Sequence, residues 1–152
     1  MNKIIFLTIA LLLFWTGFVS SISFMEAWLK FRVSGVTLPV GLSIGKTIFG
    51  ALNKMEWVFL LASALLIFIT GNLKRGTILI FLVTLLVILL IQSFILLPGL
   101  TERANTIIDG GTVGKSMLHI YFGILEILKV FLLIYSSYKI LEIHQIKNTL
   151  KT

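Results

Sequence analysis

Between positions 77 and 97 the chain runs for 21 residues without one charged side chain, and only Thr77, Thr84, Gln92 and Ser93 interrupt its aliphatic and aromatic content. A helix of about 20 such residues crosses the hydrocarbon core of a bilayer, whereas in water its whole surface would need covering. Residues 4–24 form a second run of this kind. A signal peptide has an apolar core of only ~7–15 residues followed by an A-x-A-like site, and this run fits neither condition, so it reads as a retained helix.

Two further stretches are too short as they stand. The apolar run 57–69 spans 13 residues, below the roughly 17 needed to cross. Extending it back to position 47 supplies the length and brings Asn53 and Glu56 into the hydrocarbon, while Lys54 snorkels toward the headgroups. Neither 117–125 nor 130–135 can span alone, so a fourth helix must carry Glu126 and Lys129 inside the membrane. The expected fold is therefore all-α: an integral membrane four-helix bundle, a single transmembrane domain over residues 1–152. Its helices are expected at about 4–25, 47–70, 77–97 and 116–138, with a polar tail at 139–152. The first is expected to continue through Met25-Glu26-Ala27-Trp28 into the interface; 33–39 reads as a loop. Gly71-Asn72-Leu73-Lys74-Arg75-Gly76 reads as a turn, Pro98-Gly99 as the stop of the third helix, and 101–115 as a polar connection with a turn at Asp109-Gly110-Gly111.

Composition agrees: 58% of the residues are hydrophobic and 12% charged, against about a quarter charged in soluble domains. Four spans and their connections use nearly the whole chain, leaving no room for a soluble catalytic domain. The net charge of +7 comes from 13 scattered Lys and Arg residues, without the basic run or aromatic platform of a nucleic-acid binder. Membrane lipid, with its anionic headgroups, is the expected partner; association with a second copy or with a membrane partner subunit is compatible with the lipid-facing surface of so small a bundle. Cysteine is absent, which removes disulfides, thiolate nucleophiles and dithiol relays. No P-loop, dinucleotide fingerprint, H-E-x-x-H or nucleophile elbow occurs.

Four spans place both termini on one side. Lys3, Lys74, Arg75, Lys139, Lys147 and Lys151 fall on the terminal side, and Lys30, Arg32, Lys46, Lys54, Arg103 and Lys115 on the other. The count is balanced, so positive-inside reasoning does not choose. Cytoplasmic termini are expected because Lys30 and Lys46 can belong to helix extensions, and the setting expected is the plasma (inner) membrane of a bacterium. The halves show no symmetry of the kind seen in inverted-repeat transporters.

The polar residues inside the spans gather at one depth. At ~1.5 Å per residue, Asn53 and Glu56 lie roughly 9 and 13 Å in from the non-terminal face, Gln92 roughly 8 Å, and His119 and Glu126 roughly 3 and 13 Å. His119 and Glu126 are seven residues apart on one helix face, with Lys129 a turn further on; Asn53 and Glu56 are an i, i+3 pair. If both faces point inward, Asn53, Glu56, Gln92, His119, Glu126 and Lys129 line one cavity. Intramembrane charges cost about 2.5–3.5 kcal/mol each and mark sites or paired networks. Two readings compete. In the first the groups are structural, Glu126 pairing with Lys129 and Glu56 with Asn53 or Gln92. In the second they bind a small ligand, a proton or a metal, with Glu56, His119 and Glu126 the candidate ligands; the expected two Glu-x-x-His repeats of a di-iron bundle are absent. No cofactor is specified.

The segments Gly17-Phe18-Val19-Ser20, Ala27, Phe31, Ile44-Gly45-Lys46-Thr47-Ile48-Phe49, Asn53-Lys54-Met55-Glu56, Leu97-Pro98-Gly99 and Leu118-His119 together resemble the transmembrane protein 205-like family of small four-helix membrane proteins. The resemblance covers nearly the whole chain and implies an architecture and a role for the Leu118-His119 position, but no biochemical activity. The chain departs from it at Asp109-Gly110-Gly111, which reads as an insertion. Asn53-Lys54-Met55-Glu56 is also similar to the Asn-x-x-Glu of the membrane-associated eicosanoid and glutathione metabolism family. That likeness ends there, since the preceding basic residues are missing or replaced by Lys46 and the later tyrosine-rich segment has no counterpart. The function expected is that of a multi-pass membrane protein with a polar intramembrane site; the alternative is a membrane-embedded enzyme or redox protein acting on a lipophilic substrate.

Overall fold

The computed structural model describes residues 3–70 and 75–149. Among these, four long helices, each long and apolar enough to cross a membrane, dominate an all-α bundle: α1, Lys3–Arg32; α2, Leu38–Thr70; α3, Gly76–Ile108; and α4, Leu118–Thr149.

The helices overrun the apolar runs that announce them. A 33-residue helix such as α2 is about 50 Å long, more than the ~40–45 Å of a bilayer with its headgroups. The extra turns of helix fall where hydropathy no longer marks them. α1 continues past position 25 to Arg32, and α2 starts at Leu38 rather than 47. The reversal between them turns on Gly35, whose φ of 86° suits glycine, and Pro39 occupies the first turn of α2, where its missing N–H costs nothing. α4 starts at Leu118 and carries the expected tail on as helix to Thr149. The turn expected at Gly71, Asn72, Leu73 and Lys74 lies outside the described residues, as does 150–152.

The stop expected at Pro98-Gly99 is overturned: α3 passes through it to Ile108, and the connection to α4 shortens accordingly. The cause lies one turn upstream, where Gln92–Leu96 is wound as a π-helix and the N–H of Leu97 reaches back five residues to the Gln92 carbonyl. Proline inside a helix clashes with the carbonyl four residues before it. The widened turn lets Pro98 enter without ending the helix. A second π turn, Ser21–Glu26, interrupts α1.

Around the bundle, α1 packs against α2 and α4, and α3 packs against the same two. Leu12, Trp15, Val19, Leu52, Leu85, Leu89 and Leu133 fill the centre and are buried. Phe68, Phe94 and Phe131, by contrast, point outward at 76%, 72% and 67% exposure, a cost in water but none against lipid chains. Since lipid is as apolar as leucine, burial alone does not drive such helices together; packing and interhelical hydrogen bonds must.

Candidate functional site

Those bonds concentrate at mid-height. Lys129 on α4 is wholly buried and donates to Glu126 Oε1 at 3.0 Å, to Gln92 Oε1 at 2.8 Å and to Glu56 Oε1. An ammonium has three N–H donors, and all three are used. Gln92 Nε2 donates to Glu126 Oε1 at 2.7 Å, Ser23 Oγ to Glu126 Oε2 at 3.0 Å, and Trp15 Nε1 to Glu56 Oε1 at 3.2 Å. Every helix contributes: Trp15 and Ser23 from α1, Glu56 from α2, Gln92 from α3, Glu126 and Lys129 from α4.

Both π turns feed this cluster. Ser23 lies within the turn Ser21–Glu26, and Gln92 opens the turn Gln92–Leu96. A π turn inserts one residue into the α register and so re-aims the side chains on either side. Here it delivers a polar group to the bundle axis from a helix whose neighbouring turns are apolar.

Asn53 does not join the cluster. Three residues advance a helix by about 300°, leaving Asn53 roughly 60° away from Glu56. It accepts instead from Ser93 Oγ at 3.0 Å, which in turn accepts from Trp57 Nε1 at 3.0 Å, a second bridge between α2 and α3.

His119 stands apart as well, and the single shared cavity expected from the spacing separates into two layers. Glu126 is about 10 Å further along α4 than His119, and between those levels Phe122 packs edge-on against Phe49 of α2, ring centroids 5.5 Å apart. The aromatic pair fills the space in which a common cavity would have formed. Among the described residues no three His, Asp or Glu side chains are grouped to hold a metal ion, so Glu56, His119 and Glu126 do not form a shared ligand set.

On the other side of the pair, toward the α1–α2 and α3–α4 connections, lies a cavity of about 320 Å³ walled by all four helices. Leu42, Leu97, Leu100, Ala104 and Ile107 make it mainly apolar; Lys30, Lys46, Arg103 and His119 supply its charged and polar groups. Two glycines shape the α2 wall. A Cβ on Gly41 would lie 2.2 Å from the Phe31 ring, and one on Gly45 would lie 2.6 Å from Lys30 Nζ. These positions admit side chains from the end of α1. Lys30 is thereby held in the wall, 3.3 Å from a Glu26 carboxylate oxygen and 5.5 and 5.4 Å from the ring centres of Phe31 and Phe49.

Lys46 Nζ donates to Asn105 Oδ1 at 2.8 Å, and Arg103 donates to the Gly114 carbonyl. Both acceptors are neutral. None of the residues lining the cavity is acidic. The buried cluster is legible in the sequence because charges stand out within a span; Trp15, Ser23 and the cavity are not, since much of the cavity wall, Lys30, Phe31, Gly41, Leu42 and residues 100–107, comes from helix beyond the expected ends.

Comparison with protein-family models, with curated proteins and with solved structures finds no match to this chain.

Proposed function

We propose that this chain is a multi-pass membrane protein that binds a small lipophilic ligand in the cavity between the connections, with the buried cluster holding the bundle closed beneath it. The observation that carries the reading is the cavity itself: about 320 Å³, walled by all four helices but open on one side, mostly apolar and with a few charged groups. Small-molecule sites have this character and start at roughly 300 Å³. The Lys129 cluster has the opposite character, its ammonium saturated by protein acceptors and its carboxylates and amide buried. The polar intramembrane network of Glu56, Gln92, Glu126 and Lys129 is on this reading a clasp, and the Asn53 bridge a second one.

The segments that resemble the transmembrane protein 205-like family converge on the same place, since Ala27, Phe31, Gly45, Lys46, Phe49 and His119 all line the cavity. Kinship with that family is part of the proposal. A catalytic reading using Glu56, His119 and Glu126 together is disfavoured by the Phe49–Phe122 pair, which packs between the level of the imidazole and that of the carboxylates.

The test is thermal unfolding of the detergent-purified protein with a panel of single-chain lipophiles of neutral, cationic and anionic head. A ligand at a hundred times its Kd stabilises by about 2.7 kcal/mol, so at least one member is expected to raise Tm clearly. That rise should vanish in Ala104→Leu or in Leu42→Phe, which fill the cavity from α3 and from α2. A panel without effect, or an equal rise in both filled variants with unchanged helix content, overturns the reading.

A further inference from the structure

The charges around the cavity go further than its volume. Lys30, Lys46 and Arg103 line it, and only Lys30 has a carboxylate partner, Glu26. Counting these four groups, three cations and one anion leave two positive charges. Glu102 and Asp109, on the same end of the bundle, are exposed and do not line the cavity. Lys46 and Arg103 are each only half-buried and each spends one donor on a neutral oxygen. An ammonium carries three N–H donors and a guanidinium five, so both retain donors for a further acceptor. Arginine in particular presents a planar fork that matches a carboxylate.

We propose that the occupant is a single-chain amphiphile with a carboxylate head, a long-chain fatty-acid anion. Its head sits between Arg103 and Lys46, and the first part of its alkyl chain lies along Leu42, Leu97, Leu100 and Ile107. This rests on the binding role proposed above and names the ligand class for that cavity. A carboxylate is the most compact anionic lipid head, which suits a cavity at the small end of the range for ligand sites. Two half-buried cations with spare donors in a largely apolar, open cavity select against the uncharged alcohol with the same chain, because only an anionic head forms charge-assisted hydrogen bonds to both.

The experiment uses the full chain in phosphatidylcholine nanodiscs with a fluorescent long-chain fatty acid as the probe. Oleate is expected to displace the probe at least tenfold more effectively than oleyl alcohol. Arg103→Gln and Lys46→Gln are each expected to weaken oleate about tenfold with helix content and Tm preserved. Lys54→Gln, which removes an exposed cation that does not line the cavity, should change nothing. Equal displacement by oleate and oleyl alcohol, or oleate binding unaffected by both Gln variants, overturns the assignment of the head while leaving a lipophile-binding cavity. Displacement by lysophosphatidate and not by oleate replaces the carboxylate with a phosphate head and likewise overturns it. No binding of the probe or of any competitor removes the binding role and this inference together.

Discussion

Lys129 is the residue on which the interior depends most. It is flanked by two carboxylates, so removing the ammonium leaves both without a cation, whereas neutralising one carboxylate leaves a one-to-one pair. Breaking a buried ion pair by deleting one partner costs about 3–5 kcal/mol. Lys129→Met is therefore expected to destabilise the bundle by about that much, and Glu126→Gln by clearly less, because the amide retains the size of the side chain and an oxygen that can accept from Lys129. Unfolding in mixed micelles of increasing SDS fraction measures both. If Glu126→Gln proves as damaging as Lys129→Met, charge balance is not what the cluster supplies. Gly45 makes the complementary point in the cavity wall. What a Cβ there would meet is the flexible end of Lys30 rather than backbone, so the site is tuned by where an ammonium rests.

At the scale of elements, the π turn in α3 is an inserted residue with a specific consequence. Deleting Ile95, which is 63% exposed and lies within Gln92–Leu96, should restore ordinary α winding with both halves of the helix in register. Deleting Val83, also outward-facing but within the regular stretch Arg75–Ile91, should rotate everything on one side by about 100° and disrupt packing. Expression level and thermal unfolding in detergent are expected to fall for both deletions, but less for the first, which keeps the two halves of α3 in register while placing Pro98 in an ordinary α turn, than for the second. The four spans were legible because lipid demands long apolar runs, and Glu56, Gln92, Glu126 and Lys129 were legible because polar groups inside such runs need partners. Helix ends were not, since turns beyond the hydrocarbon carry no hydropathy signal: residues 101–108 read as a loop because they are polar and follow Pro98-Gly99. Nor does composition show a π turn. Neither Ser23 nor Trp15, each a single polar-capable residue within an apolar run, therefore carries a sequence signal that it joins the cluster.

For the whole molecule, four crossings would place the α1–α2 and α3–α4 connections on one side and the start of α1 and the end of α4 on the other. The natural absence of cysteine makes this directly measurable. Ser34→Cys and Thr112→Cys are expected to react with an impermeant maleimide from one face of sealed vesicles, and Lys3→Cys and Gln145→Cys from the opposite face. Labelling of Ser34→Cys and Lys3→Cys from the same face would contradict the four-span arrangement. The cavity would then face whichever compartment labels position 34. One further consequence concerns synthesis. The cation that satisfies Glu56 and Gln92 arrives on α4, the last of these four helices to be made, so the first three helices enter the bilayer with a carboxylate and an amide still lacking Lys129. A nascent chain halted before Lys129 consequently leaves Glu56 and Gln92 without their cation in lipid, and the cluster closes only once α4 has emerged and docked.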